Sequence, residues 1–150
     1  MDGCLYIDGE IKMEKYKIGF TCSCFDLLHA GHVAMLEEVK NYCEHLIVGL
    51  QVDPSMEREE KNKPIQSLLE RQIQLRACKY VDEIIVYETE KDLKTILKTL
   101  PINVRFLGKE YSIDGFTGRG ICKKKGIRIH FNHRLHDFSS SELRERIKNV

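Results

Sequence analysis

The chain is poor in the residues and patterns that mark non-globular classes. Its 150 residues hold only 10 glycines and 3 prolines, which excludes collagen-like and low-complexity chains. No apolar run approaches the ~18–20 residues of a spanning helix, so no membrane insertion is expected. Net charge is nearly absent too: Lys and Arg total 24, Asp and Glu 23, leaving +1. That balance offers no broad cationic surface for a nucleic acid, and any phosphate chemistry must use local charge. Met1-Asp2-Gly3 opens without a basic or apolar export segment, so a cytoplasmic chain with six free thiols is expected rather than a disulfide framework.

What is present is the material of one domain with a substantial core. A chain of this length buries about 68–70% of its unfolded surface. Residues 1–15 stand apart. Leu5-Tyr6-Ile7 and Glu10-Ile11-Lys12 flank Asp8-Gly9, a turn dipeptide, which reads as a short appended hairpin or as a leader of no chemical consequence. Residues 16–150 then alternate strand and helix patterns. Tyr16–Cys22, His45–Gln51, Glu83–Tyr87, Val104–Leu107 and Ile127–Phe131 read as strands. Stripes at Val33, Leu36, Val39 and Cys43, and at Leu68, Leu69, Ile73, Leu75 and Cys78, read as helices. Ser67 with Glu70 has capping-box spacing; a third helix carries Leu93, Ile96, Leu97 and Leu100 up to Pro101, and a fourth opens at Ser139-Ser140-Ser141-Glu142. The alternation predicts an α/β fold, a Rossmann-like parallel sheet with helices on both faces, its ligands beyond the carboxyl ends of the strands.

Two connections are longer or more polar than packing requires. Asp53–Lys63 is densely charged and reads as a mobile loop; Gly108–Gly120 is glycine-rich and leads into Lys123-Lys124-Lys125. Each is also consistent with a solvated face.

The chemistry concentrates in two segments. After the first long strand comes Ser23-Cys24-Phe25-Asp26-Leu27-Leu28-His29-Ala30-Gly31-His32, running into a helix. Unpaired N–H groups and the positive dipole end at such a turn suit an anion, Gly31 permits close approach, and His29 and His32 add donors. Structural histidines or a metal pair are alternatives on these residues alone. Cys22-Ser23-Cys24 lacks zinc spacing, and His130, His133 and His136 leave a strand for a loop, so no metal site is expected. In the second segment, Ser139, Ser140 and Ser141 open a helix containing Arg144, with Arg134 upstream. Alone this reads as a capped surface helix; beside the first site it suits a polyphosphate.

CFDLLHAGH resembles the first signature of the cytidylyltransferase-like nucleotidyltransferases, and HDFSSSELRERI resembles their second. Glu70-Arg71 and Lys79-Tyr80-Val81-Asp82-Glu83 are similar to elements of the glycerol-3-phosphate cytidylyltransferase branch, so the likeness runs from about Tyr16 to Ile147. It implies the nucleotidyltransferase fold and transfer of CMP from CTP to a phosphorylated alcohol such as glycerol 3-phosphate, with release of pyrophosphate. The alternatives are an adenylyltransferase of the same fold using ATP, or a nucleotide-binding homologue without turnover. By the same resemblance, His29, His32 and a loop lysine, Lys61 or Lys63, would serve catalysis. Cys24, Phe25, Gly31, Gly108, Arg134, Ser139, Ser140 and Ser141 would line the nucleotide, and Lys91, Lys94 or Lys109 would meet the acceptor. Mg²⁺ would arrive on the nucleotide, no resident metal being implied, and the family's usual homodimer is expected, with Lys79–Glu83 in its interface region. Two departures stand out. Ser23 replaces the signature's first glycine, which calls for a negative φ or for strain, and Lys109 replaces an Asp after Gly108.

Overall fold

The computed structural model describes residues 4–7 and 10–150. Strands β1 (Cys4–Ile7) and β2 (Glu10–Met13) pair antiparallel with Ile7 opposite Glu10; the expected Asp8-Gly9 turn lies outside the described residues. The main sheet has five strands: β3 (Tyr16–Ser23), β4 (Cys43–Gln51), β5 (Glu83–Tyr87), β6 (Val104–Leu107) and β7 (Arg128–Phe131). All pair in parallel, in the order β5-β4-β3-β6-β7. The chain reverses its direction of growth between β3 and β6, and a crevice opens there beyond the strand ends.

The helices are α1 (Ala30–Lys40), α2 (Leu68–Ala77), α3 (Glu90–Thr99), α4 (Tyr111–Asp114), α5 (Arg119–Lys125) and α6 (Ser140–Lys148). Period-two alternation along β4 divides the core between the faces of the sheet. Leu46, Val48 and Leu50 pack with Leu36, Val39 and Leu75 on the α1 and α2 side. Ile47 packs with Phe20, Leu93, Leu97 and Cys122 on the α3 and α5 side. The expected α/β sheet with both faces covered is therefore the observed one.

Local chemistry accounts for the boundaries. Ser67 and Glu70 exchange the reciprocal bonds of a capping box at α2, as Thr89 and Asp92 do at α3. Ser139 caps α6 by accepting from the Glu142 amide. The differences from expectation arise where packing overrides pattern. Cys43 begins β4 instead of continuing α1, and Val33, Leu69 and Ile73 stay exposed because the sheet receives only one narrow face of each short helix. The Gly108–Gly120 connection is not a plain loop but contains α4 and leads into α5. The charged Asp53–Lys63 segment begins with a 3₁₀ turn, Pro54–Met56, capped by Asp53, and docks on α3 through Arg58 and Glu90 at 2.7 Å. Within the basic run, Lys125 Nζ donates to the carbonyls of Leu97, Lys98 and Leu100, neutralising the end of α3 rather than facing a ligand.

Arg71, 2% exposed, joins three parts of the fold. Its guanidinium donates to the carbonyls of Cys24 at 2.9 Å, Gln51 at 2.7 Å and Val52 at 2.6 Å. These bonds fasten α2 to the ends of β3 and β4. Arg71→Met leaves those buried carbonyls without a donor and is expected to cost about 3–5 kcal/mol. The check is urea unfolding, where the midpoint falls with little change in slope.

Candidate active site

The turn between β3 and α1 is held in a conformation its residues do not favour. Phe25 and Leu27 have φ of 49° and 51°, while Ser23, the last residue of β3, is not among the positive-φ residues. Of the two alternatives expected where Ser23 replaces the signature glycine, the unstrained backbone is the one observed, and the left-handed conformations belong to Phe25 and Leu27. Neighbouring bonds compensate for these. Asp26, 6% exposed, accepts from the amides of Ile65 and Gln66 at 2.9 Å each and from Arg144 Nη2 at 3.0 Å. The Leu27 amide donates to Gln66 Oε1 at 2.8 Å. The Phe25 ring is buried in the α1 and α2 core, and Phe25 lines neither principal cavity.

This turn delivers His29 as the N-cap of α1. His29 Nδ1 accepts from the Gly31 amide at 3.0 Å, and His32 Nδ1 accepts from the His29 amide at 3.2 Å. Both bonds require unprotonated Nδ1, so each neutral ring carries its proton on Nε2. His29 Nε2 meets Ser140 Oγ at 3.1 Å, joining the N-termini of α1 and α6 across 111 residues of sequence. The imidazoles stack with centroids 3.9 Å apart. Burial lowers the His29 pKa, aided by His136 and Arg134; it lowers that of His32 to about 4, aided by His29. Both are therefore neutral donors at neutral pH. Gly31 is required by space, since a Cβ there would stand 2.8 Å from His29 Cε1 and 3.1 Å from His136 Cε1.

Two cavities meet at the switch point, sharing Met35, Gly108, Glu110 and Asn132. The first, about 480 Å³, is lined among others by His29, Gly31, His32, Arg134, Ser139 and Ser140, and has apolar wall from Met35, Leu135 and Phe138. Lys109 lies on this cavity and not on the second. The second, about 330 Å³, lies over the ends of β3 and β6 and is lined by Cys24, Arg58, Lys61, Glu90 and Arg105 among others. Lys61 thus reaches a cavity, whereas Lys63, Lys91, Lys94 and Ser141 line neither. The first turn of α3 presents Glu90 and Leu93 to the second cavity in place of its lysines.

Sequence reasoning missed Asp26, Arg58, Glu90, Arg105 and Asn132. A signal existed for Arg105, a charge inside the otherwise apolar run Val104-Arg105-Phe106-Leu107. Burial raises the Cys22, Cys24 and Cys43 thiols, which argues against thiolate chemistry at neutral pH. Of the three histidines in and after β7, His133 and His136 line the first cavity, and His130 and His133 converge on Glu38 at 3.6 and 3.8 Å. Glu38, His130 and His133 could offer a cation one ligand atom each, within 4.8 Å of one another. Glu38 also accepts from the His133 amide at 2.8 Å, which ties the loop to α1 without any ion.

Residues 20–146 match the family model described as cytidylyltransferase-like. Among curated proteins, the chain is 35% identical over 119 residues to the bifunctional protein HldE of Mesorhizobium japonicum, covering 79% of this chain and 24% of that protein. It is 33% identical over 132 residues to HldE of Citrifermentans bemidjiense, covering 87% and 27%. The chain thus spans about a quarter of the length of these relatives. A lipopolysaccharide core biosynthesis protein from Thermoplasma volcanium shares the fold with a TM-score of 0.64 at 22% identity, covering 80% of this chain and 98% of that one. A putative nicotinate-nucleotide adenylyltransferase from Vibrio parahaemolyticus does so at 0.56 and 12% identity, covering 89% and 88%. With its signature turn, paired imidazoles and capped α6 in one crevice of a five-stranded parallel sheet, the chain belongs to the cytidylyltransferase-like family of nucleotidyltransferase-like proteins.

Proposed function

We propose that the protein transfers AMP from ATP to a phosphorylated sugar or polyol and releases pyrophosphate. The observation that carries the transfer is the pair of neutral imidazoles fixed by the α1 cap, with His29 Nε2 against Ser140 Oγ at the serine-capped start of α6, all lining one cavity that suits a nucleotide. ATP is preferred to CTP on the likeness to the HldE proteins, which outweighs the cytidylyltransferase motifs.

In this reading the triphosphate lies between the two helix N-termini. A phosphate oxygen of the acceptor attacks the α-phosphorus in line while the bond to pyrophosphate breaks. The acceptor phosphate is already ionised, so no strong base is needed. Catalysis is alignment and stabilisation of charge on the α-phosphoryl and leaving oxygens. His29 and His32 donate from Nε2, Ser139, Ser140 and the α6 amides hold the outer phosphates, and Arg134 adds charge at the rim. Lys61 approaches from the acceptor side. Mg²⁺ would be held by phosphate oxygens and water, because Asp26, the carboxylate nearest the signature, is committed to Ile65, Gln66 and Arg144.

Pyrophosphate release with ATP and with CTP, each across a panel of sugar and polyol phosphates, tests the donor; release with CTP alone refutes the ATP assignment. His29→Asn retains an acceptor for the cap but removes the Nε2 donor, so turnover is expected to fall by ~10²-fold with folding largely intact. Lys61→Ala is expected to lower kcat/KM by ~10-fold or more, and further than Lys63→Ala does. Because the folded-state pKa of His32 is near 4, against an ordinary value of 6.5, the unfolded chain binds the proton more readily between those values. Stability is then full above pH 6.5 and falls on acidification toward pH 4, by up to about 3 kcal/mol from this residue. His32→Asn should flatten that part of a pH series of unfolding curves.

A further inference from the structure

Three residues that line the second cavity carry a buried polar atom without a partner, one a donor, Arg105 Nε, and two acceptors, Glu90 Oε2 and Asn132 Oδ1, of which Arg105 and Glu90 carry charges of opposite sign. Arg105, 2% exposed on β6, donates from Nη1 to the Thr117 carbonyl and packs its guanidinium 5.2 Å from the Phe116 ring centroid, but its Nε–H has no acceptor. No carboxylate pairs with it among the described residues. Glu90, at the start of α3, gives one oxygen to Arg58 at 2.7 Å, and its backbone amide donates to Glu57 at 2.8 Å; its buried Oε2 has no donor. Gly118 of the adjoining loop has φ of 82°, and a Cβ there would overlap Leu97 Cδ1 and stand 3.4 Å from Arg105 Nη1, so the loop packs on Leu97 and touches the guanidinium. Phe116 and Thr117 of the same loop line the cavity.

This pairing selects among ligand chemistries. An anion would satisfy Arg105 but meet the Glu90 carboxylate. An amine would satisfy Glu90 but meet the guanidinium. A hydroxyl suits either atom, since it can accept from Nε–H and can donate to Oε2. Neighbouring hydroxyl-bearing side chains, Tyr87, Tyr111, Thr21 and Ser23, give the rest of the cavity the same mixed character, and Phe116 supplies an apolar face. We propose that Glu90 and Arg105 read a hydroxyl on the part of the acceptor that projects into the second cavity, making them specificity residues for a neutral polyhydroxylated acceptor. This rests on the transfer reading above. It adds that the acceptor's recognised end is uncharged and that its hydroxyls, not a second phosphate or carboxylate, are selected.

The test uses the full chain, ATP and acceptors on one skeleton: a hexose 1-phosphate, its single-deoxy analogues, the uronic acid 1-phosphate and the amino-sugar 1-phosphate. With the wild type, at least one deoxy analogue should show KM raised about tenfold or more, because its absence leaves both buried atoms unpaired. Glu90→Gln and Arg105→Met should raise KM for the parent sugar, with kcat reduced less, and should bring parent and deoxy analogue level. Glu90→Gln preserves volume, and a thermal melt of each variant separates misfolding from lost recognition. An unchanged parent-to-deoxy ratio in a folded variant overturns the proposal, as does a wild-type preference for the uronic acid or the amino sugar. If no acceptor supports pyrophosphate release, the transfer reading fails by itself. The same panel is then titrated calorimetrically: tighter binding of the parent than of its deoxy analogue in the wild type, lost in Glu90→Gln, upholds the hydroxyl assignment, and equal or absent binding overturns it.

Discussion

The Asp26 carboxylate is the point on which the site is built. It is nearly buried, and it gathers the amides of Ile65 and Gln66 together with the Arg144 guanidinium. One group thereby fixes three segments distant in sequence: the turn after β3, the approach to α2, and α6. Two non-glycine residues in this turn have left-handed backbone conformations, a cost that persists only where surrounding bonds outweigh it. Arg71 reinforces the arrangement from below by holding the Cys24 carbonyl. With the turn pinned, α1 must start at His29, and the imidazole chemistry follows.

The histidines show how a structural device and a chemical one can be the same atoms. Their Nδ1 atoms do what a serine or aspartate does at other helix starts, accepting backbone N–H groups. That duty sets the tautomer and leaves both Nε2–H groups as neutral donors. Protonation would break the cap, which agrees in direction with the lowered pKa of each ring. Gly31 belongs to the same device, because any side chain there would collide with His29.

The second cavity is organised on another basis. Its charged groups come from four parts of the chain: Arg58 and Lys61 from the segment after β4, Glu90 from the start of α3, Arg105 from β6, and Glu110 from the turn ahead of α4. The first cavity takes its donors from helix starts and imidazoles and has mainly uncharged walls. Separate elements thus shape the two cavities around the shared Met35, Gly108, Glu110 and Asn132. The second cavity can vary through its loops while the capped helix starts stay fixed.

Periodicity, capping chemistry and order along the chain were enough to determine the five parallel strands, the starts of α2 and α6, the end of α3 before Pro101, and the approach of His29, His32 and the serine run to one crevice. These are local or topological properties, and residues such as Ser67, Glu70 and Ser139 carry them by spacing alone. The exposure of Val33, Leu69 and Ile73, the left-handed conformations of Phe25 and Leu27, and the choice of Lys61 over Lys63 at a cavity were decided by tertiary structure. So were the placement of Lys109 on the first cavity, the removal of Lys91 and Lys94 from both, and the presence of Glu90 and Arg105 on one cavity. Each depends on which face of a short element the sheet accepts and on bonds between residues far apart in sequence, and the spacing of residues along a chain does not encode either.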